Sequence, residues 1–165
     1  MDNYIMFDGI KLPLTDEQIK KLKLEDELRK EPFHRVESGQ IFYYINRLGE
    51  IDTCSESYNS TNNEFYDVGN YCKDKRILGQ RALHETLNRL LWRYSIENGE
   101  ADNPWDGKNQ HFYIYFNEGM CTFMVDFCWS NHSSCDIYFP TEAVANKAIT
   151  DIVIPFLADH PEFVW

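Results

Sequence analysis

The stretch HFYIYFNEGMCTFMVDFCW, residues 111–129, carries the pattern from which the fold follows. Aromatic and β-branched residues, which favour extended backbone, fill both of its ends, and the Asn-Glu-Gly sequence at 117–119 is typical of a turn. Apolar and polar residues alternate along 122–128, as they do on a strand with one buried face. The stretch therefore predicts a β-hairpin with strands at 111–116 and 121–129.

A third strand, at 136–139, and a helix are predicted to follow this hairpin. Thr141 is a favourable N-cap for the helix. Apolar residues then recur at helical spacing: Ala145, Ala148, Ile149, Ile152, Val153 and Phe156. Pro155 cannot donate a backbone hydrogen bond, so we expect the helix to bend or stop there. The apolar ending at 163–165 is expected to dock on the core.

The same order of elements is predicted in the preceding part of the chain. Strands are expected at 41–45 and 51–55, a loop at 56–64, a third strand at 65–71 and a helix at 75–98. The helix shows apolar residues three or four positions apart: Leu83, Leu87, Leu90, Leu91 and Tyr94. We therefore predict an α+β fold in which two β-β-β-α halves form one antiparallel sheet with the helices on one face.

The match between the halves is short but ordered. The sequence FYYI at 42–45 corresponds to FYIY at 112–115, and NYC at 70–72 corresponds to IYF at 137–139. FYYI and FYIY each lie in the first predicted strand of their half. NYC and IYF each lie just before the predicted helix of their half. The correspondence predicts a duplicated unit with little retained identity.

One domain is expected for residues 1–165, since 43% hydrophobic residues in a chain of this length suffice for one core. The three parts of this domain are a peripheral hairpin and helix at 1–31, the first half at 32–100 and the second half at 101–165. A turn at Asp8-Gly9 predicts the hairpin at 4–12, and a capping box of Thr15 and Gln18 predicts the helix at 16–30.

The acidic charge excludes some partners. The chain has 27 acidic and 16 basic side chains, so it repels polyphosphate and we expect no direct binding to nucleic acid. Residues 101–165 contain nine aspartates and glutamates, but their only lysines or arginines are Lys108 and Lys147. No apolar run is long enough to span a membrane and the N-terminus lacks the features of a secretory signal, so a soluble cytoplasmic protein is expected.

A tyrosine-rich and acidic surface is the candidate binding site. If the apolar residues of 122–128 face the helices, the polar ones face away, together with the tyrosines of the neighbouring strand. The predicted partner-binding residues are Tyr113, Tyr115, Asp126, Asp136, Tyr138, Asp102 and Asp106. Tyrosine is enriched in binding hot spots, and the acids suit a partner protein with a basic surface. Alternatively, the segment 1–31 or a second copy of the chain, as in a homodimer, covers this face.

Catalytic and metal chemistry has weak support. Cys128, His132 and Cys135 could supply three zinc ligands, yet their spacing fits none of the usual zinc patterns. Cys72 precedes a predicted helix N-terminus, which would stabilise a thiolate, but no motif provides it with a histidine. We therefore expect no metal, no cofactor and no catalytic residue, and the protein is not expected to be an enzyme.

Three segments resemble a loose group of short phage and prophage proteins of Gram-positive bacteria: PFHRV at 32–36, VGNYC at 68–72 and HPEFVW at 160–165. The resemblance implies a phage accessory protein in the host cytoplasm, and anti-CRISPR-like inhibitors belong to this kind of protein. The expected function is inhibition of a host protein, such as a defence nuclease, through the acidic surface.

Two other functions remain open from the sequence. A binder of a small ligand, such as a nucleotide signal, could use the aromatic face together with a basic stripe at Arg81, Arg89 and Arg93. Glu85 lies among these arginines at helical spacing, which favours a solvated face with a local ion pair. The third candidate is an enzyme with a metal or cysteine centre.

Overall fold

The computed structural model describes residues 4–7, 10–21, 31–130 and 136–165. It contains helices and antiparallel sheets, which confirms the α+β class. The chain divides into two compact units, Met1–Gly79 and Gln80–Trp165. We describe each unit by itself, and the organisation as one domain stays a prediction.

The N-terminal hairpin is present. Strand β1 is Tyr4–Phe7 and strand β2 is Ile10–Pro13, and they pair in antiparallel order. A helix, α1, begins at residue 16 and is described to residue 21. The Thr15 hydroxyl accepts from the Gln18 backbone N–H (3.2 Å), and Gln18 Oε1 accepts from the Thr15 N–H (2.9 Å), which confirms the capping box. The turn at 8–9 and the rest of the predicted helix lie outside the described residues.

The first unit also contains a two-stranded sheet of β3, Ile41–Ile45, and β4, Ile51–Ser55. Both strands have the predicted bounds. Phe42 is fully buried and stacks on Tyr71, with 4.1 Å between the ring centroids. This stack, joined by Val36, forms the apolar centre of the unit.

The predicted third strand at 65–71 is wrong, and so is the extent of the loop at 56–64. Helix α2 occupies Ser60–Asp67 instead, because the Asn59 side chain caps it by accepting from the Asn62 N–H at 2.8 Å. Among the described residues, Cys72 alone extends the sheet, through an antiparallel bridge to Tyr43. Helix α3 then runs from Lys75 to Glu97, one residue short of the predicted end, and Gly99 follows in the left-handed conformation (φ 104°).

The second unit contains the three-stranded antiparallel sheet. Its strands are β5 (His111–Asn117), β6 (Thr122–Cys128) and β7 (Tyr138–Phe139), in the order β6-β5-β7. β6 is shorter than predicted by one residue at each end, and Cys121 has left-handed backbone (φ 49°) in the turn. β7 keeps only the last two residues of the predicted 136–139.

The helical run after Thr141 does not stop at Pro155. Helix α4, Glu142–Ala148, is capped by Thr141 as predicted, with its hydroxyl accepting from the Val144 N–H at 3.2 Å. A π-helical turn at 149–153 follows, and helix α5, Ile154–Asp159, continues the run with Pro155 in its first turn. The last hydrogen bond of the π turn, from the Ile154 N–H to the Ile149 carbonyl, comes directly before Pro155, so the proline lies where the run returns from π- to α-helical bonding. The buried residues are spaced three, five and three apart as a result: Ala145, Ala148, Val153 and Phe156.

The core of the second unit lies between the sheet and the helices. Leu87 and Leu91 of α3 pack with Phe139 and with the buried residues of the α4–α5 run. The inward residues of β5 and β6 pack against this cluster: Phe112, Ile114, Phe123 and Val125. Phe163 joins it, and Trp165 contacts Phe123 edge to face at 4.8 Å, which confirms the predicted docking of the C-terminal residues.

The prediction of one shared sheet is wrong for the described residues, since β3-β4 and β6-β5-β7 are separate sheets. Polar residues of β4 such as Asp52 and Thr53 are exposed, which leaves that strand little apolar surface for a wider sheet. Strand order is nevertheless repeated. Cys72 pairs with the third residue of β3, Tyr43, and Tyr138 pairs with the third residue of β5, Tyr113. In each half, a short extended segment just before the helix thus pairs with the free side of the first strand.

Candidate partner-binding face

Five of the seven predicted partner-binding residues lie together on the side of the β6-β5-β7 sheet that faces away from the core. We call this set the tyrosine face: Tyr113, Tyr115, Tyr138, Asp126 and Asp136. Tyr113 is central, because it is the cross-strand neighbour of both Asp126 and Tyr138. Its ring centroid lies 6.2 Å from that of Tyr138 and 6.3 Å from that of Tyr115.

Two of the three tyrosine hydroxyls donate to neighbouring acids. Tyr113 Oη donates to Asp126 Oδ2 at 3.4 Å, and Tyr138 Oη donates to Asp136 Oδ2 at 3.3 Å. Burial raises the pKa of Tyr113, and the negative charge of Asp126 raises it further. The phenol is therefore neutral at physiological pH and remains a hydrogen-bond donor. Both carboxylates are exposed, so the face presents aromatic surface with negative charge at two edges.

Asp102 and Asp106 are not part of this cluster. Asp102 ends a short 3-10 helix and is exposed. Asp106 accepts hydrogen bonds from the backbone N–H groups of Lys108 (2.9 Å) and Asn109 (3.1 Å), and these bonds lower its pKa. Its first role is therefore to shape the turn. Trp105, which lies between the two acids in sequence, joins this connection to the tyrosine face by an edge contact with Tyr138 at 5.0 Å.

The sequence analysis missed the group formed by Trp105 and His111. The two rings stack with 3.5 Å between centroids and an angle of 4° between their planes. His111 is fully buried, and its Nδ1 lies 2.5 Å from Glu100 Oε1. Strand parity could have placed His111 beside Tyr113 and Tyr115, since all three occupy odd positions of β5. The stacking of Trp105 has no comparable signal, because it depends on the path of the turn-rich connection.

Of the two ring nitrogens of His111, Nδ1 has hydrogen-bond partners among the described residues and Nε2 does not. Asn103 Nδ2 lies 3.2 Å from His111 Nδ1 and also 3.2 Å from Glu100 Oε2. Because the carboxylate contact is the shorter one, we assign the Nδ1 proton to a bond with Glu100. Nε2 has no hydrogen-bond partner in the described part of the chain.

A cavity of about 340 Å³ lies beside β5, in the second unit. It is lined by four aromatic residues of the sheet and C-terminus, by three aliphatic residues, by one amide and by one acid: Tyr113, Tyr115, Phe139, Trp165, Leu91, Ile114, Ile137, Asn88 and Asp136. Within the part of the chain that the structure describes, no basic residue lines it. The tyrosine face is thus continuous with a pocket at its edge.

The arginines of the basic stripe are each close to a glutamate. Arg81 Nε lies 2.7 Å from Glu85, and Arg89 lies 3.9 Å from the same residue. Arg93 lies 4.0 Å from Glu97. The stripe is therefore a set of helical ion pairs, which reduces its attraction for a phosphate group.

Metal and thiol chemistry gains little support from the described part of the chain. There, no three histidine, cysteine or acidic side chains are placed to hold a metal ion. His132 and Cys135 lie outside the described residues. Burial raises the pKa of the Cys128 thiol, and buried Cys72 donates its S–H to the Asp74 carbonyl at 3.3 Å. Cys128 therefore lacks the lowered pKa that a nucleophilic thiolate requires, and the Cys72 S–H is engaged by a backbone carbonyl.

A buried ion pair in the first unit was also missed. Arg35 contacts both oxygens of the fully buried Glu56 carboxylate, at 2.9 and 3.0 Å. Tyr71 Oη donates to the same carboxylate at 3.0 Å, and the Tyr58 N–H donates at 2.7 Å. The bond from Arg35 is the largest cause that lowers the pKa of Glu56 to about 2. The pair ties the approach to β3 to the segment after β4.

Comparison with models of protein families, with curated proteins and with solved structures finds no match to this chain. In the described ranges, no helix combines the length and apolar character that a membrane crossing requires.

Proposed function

We propose that the chain is a non-catalytic binding protein that docks its tyrosine face on a basic surface of another protein. The observation that supports this function best is the arrangement of Tyr113, Asp126 and Tyr138 in one row across three strands. Large tyrosine rings provide contact area at low entropic cost, and their hydroxyls provide hydrogen bonds. The carboxylates at the edges select a partner that carries lysine and arginine.

The charge of the second half supports the same partner chemistry. Residues 101–165 carry a net charge of −7, with nine acids against Lys108 and Lys147. A field of this sign accelerates the encounter with a basic protein and repels nucleic acid. The small-ligand alternative has less support, because the arginines that it requires are close to glutamates.

The proposed biological role is inhibition of a host protein by a phage-encoded chain in the host cytoplasm. The support is the resemblance of the segments at 32–36, 68–72 and 160–165 to short phage proteins. A nucleic-acid-binding groove of a defence nuclease is basic by necessity, so an acidic aromatic surface could occupy it in place of the phosphate backbone. No cofactor is required for this role.

The test is capture of a host protein with two matched charge variants. One variant carries Asp126→Lys and Asp136→Lys on the tyrosine face. The control carries Asp151→Lys and Asp159→Lys, which change the net charge equally at exposed positions of the α4–α5 run. We expect wild type and control to retain a basic protein that salt releases, and the tyrosine-face variant to lose it. Equal retention by the two variants would show that this face is not the binding site.

A further inference from the structure

We infer that the partner binds as an extended segment that adds to the free edge of β5 and places an arginine side chain in the cavity beside it. The inference rests on the proposed function and specifies the partner chemistry at the same face. It combines three observations: an incomplete strand edge, an aromatic cavity next to that edge, and a carboxylate at the cavity rim.

The strand edge is incomplete because β7 is only two residues long. β7 pairs with Phe112 and Tyr113, whereas β5 continues to Asn117. Among the described residues, 114–117 have β6 as their only strand partner. The backbone N–H and C=O groups of 114–117 that point away from β6 can therefore pair with an incoming strand. Four residues of strand span about 13 Å. Addition of a strand to such an edge is a common mode of peptide recognition.

The cavity lies where a side chain of that added strand would enter. Rings of Tyr113, Tyr115 and Trp165 line it, and Leu91 and Ile137 provide apolar wall. The Tyr113 hydroxyl donates to Asp126 and the Tyr115 hydroxyl donates to the Met124 sulfur. Both partners belong to β6, so neither hydroxyl points toward the edge of β5 where the added strand would lie.

The chemistry of the lining selects a cation with a long apolar stem. The faces of aromatic rings attract cations, and the apolar wall accommodates methylene groups. Asp136 supplies the opposite charge, and no lysine, arginine or histidine of the described residues lines the cavity to compete for it. Arginine fits better than lysine, because a planar guanidinium stacks on a ring and bonds a carboxylate through two N–H groups.

The probe is the blocked peptide acetyl-Ser-Thr-Val-Arg-Val-Thr-Ser-amide, titrated into the isotope-labelled full chain and followed by NMR. A citrulline peptide is the neutral control, because citrulline keeps the shape of arginine and removes its charge. Two further peptides carry N-methyl groups on alternate backbone nitrogens, one set on each edge. We expect shifts centred on the amides of 114–117 and on the Trp165 indole. Citrulline should weaken binding about tenfold.

Strand addition predicts a difference between the two N-methylated peptides that charge attraction alone does not predict. Only one edge of an added strand faces β5, so one N-methylated peptide should bind about tenfold more weakly and the other within about twofold of the parent. Equal effects of the two methylated peptides, or equal binding of the citrulline peptide, would overturn the inference.

Protein variants separate the cavity from the rest of the face. Asp136→Asn should weaken peptide binding about tenfold, whereas Asp126→Asn, which removes the same charge from β6, should weaken it less. Both residues are exposed, so neither change disturbs the core. If Asp126→Asn has the larger effect, the cation does not bind in the cavity.

Failure of the inference and failure of the proposed function give different results. If the captured host protein is lost with the tyrosine-face variant but is unaffected by excess arginine peptide, the function stands and the strand-addition mode is wrong. If host capture is equal for both charge variants, the proposed function is wrong. Concentration-dependent dimerisation that the arginine peptide cannot reverse would identify a second copy as the occupant of the edge and would overturn the inference.

Discussion

Glu56→Gln tests the buried ion pair of the first unit through the pH dependence of its free energy of unfolding. The pKa of Glu56 falls from 4.5 to about 2 in the folded protein. A carboxyl group with a lowered pKa stabilises the fold above its unfolded pKa and loses that contribution as pH falls through the folded value. A shift of this size corresponds to about 3 kcal/mol at pH 6, about 2 kcal/mol at pH 3.5 and about 1 kcal/mol at pH 2.5.

The measurement must report on the first unit. All four tryptophans lie after Gly79, so their fluorescence reports on the second unit. The Tyr43 amide reports on the first unit, because its N–H bonds the Cys72 carbonyl at 2.8 Å. Its hydrogen exchange, measured from pH 6 to pH 2.5, gives the local opening free energy. The difference between wild type and Glu56→Gln should shrink from about 3 to about 1 kcal/mol over this range.

A matched control removes another acid from the same unit. Glu37→Gln changes an exposed side chain, so its effect should remain within about 0.5 kcal/mol at all pH values. A difference between wild type and Glu56→Gln that stays constant with pH would refute the reasoning, because it would mean that the ion pair does not lower the pKa of Glu56.

Three other predictions concern the core, a cap and the binding face. Phe42→Ala removes a fully buried ring and should destabilise the first unit by about 3–5 kcal/mol in urea unfolding, whereas the exposed Leu48→Ala should change it by less than about 0.5 kcal/mol. Thr141→Ala removes the cap of α4 and should cost about 1 kcal/mol by the same method, and Thr141→Ser should recover most of it. Tyr113→Ala should weaken partner binding by about 2 kcal/mol with unchanged circular dichroism, and full binding by this variant would contradict its central place in the face.

The sequence predicted the elements whose signals are local. The α3 helix and the β5–β6 hairpin have clear periods of their own, and Thr141 identified the start of α4 to the residue. Helix α2 was missed because Phe65 and Tyr66 resemble strand residues. The decisive signal was Asn59, whose side chain caps the helix within a run of polar residues that otherwise resembles a loop.

In the candidate site, too, features set by one strand were predictable and contacts between distant segments were not. Strand parity correctly placed Tyr113 and Asp126 on one side of the sheet, since alternation is a property of each strand. Contacts between distant segments gave no such signal. The stack of Trp105 on His111 depends on the path of a turn, and the Arg35–Glu56 pair joins residues 21 positions apart. The short β7 was also unpredictable, because its length is set by where the chain leaves β5.

The π-helical turn at 149–153 determines which of the residues after it face the C-terminal core. A π turn accommodates one more residue than an α-helical turn, and here it shifts the inward position from Ile152 to Val153 and then to Phe156. Deleting exposed Thr150 would allow a regular α-helix in which Val153 lies four residues after Ala148, so Val153 and Phe156 would still face the core. A regular helix without this deletion would rotate Phe156 by about 100° away from Leu87 and its neighbours. The turn is thus equivalent to a one-residue insertion that the fold has retained. A homologue without the π turn should therefore be one residue shorter between the positions of Ala148 and Val153.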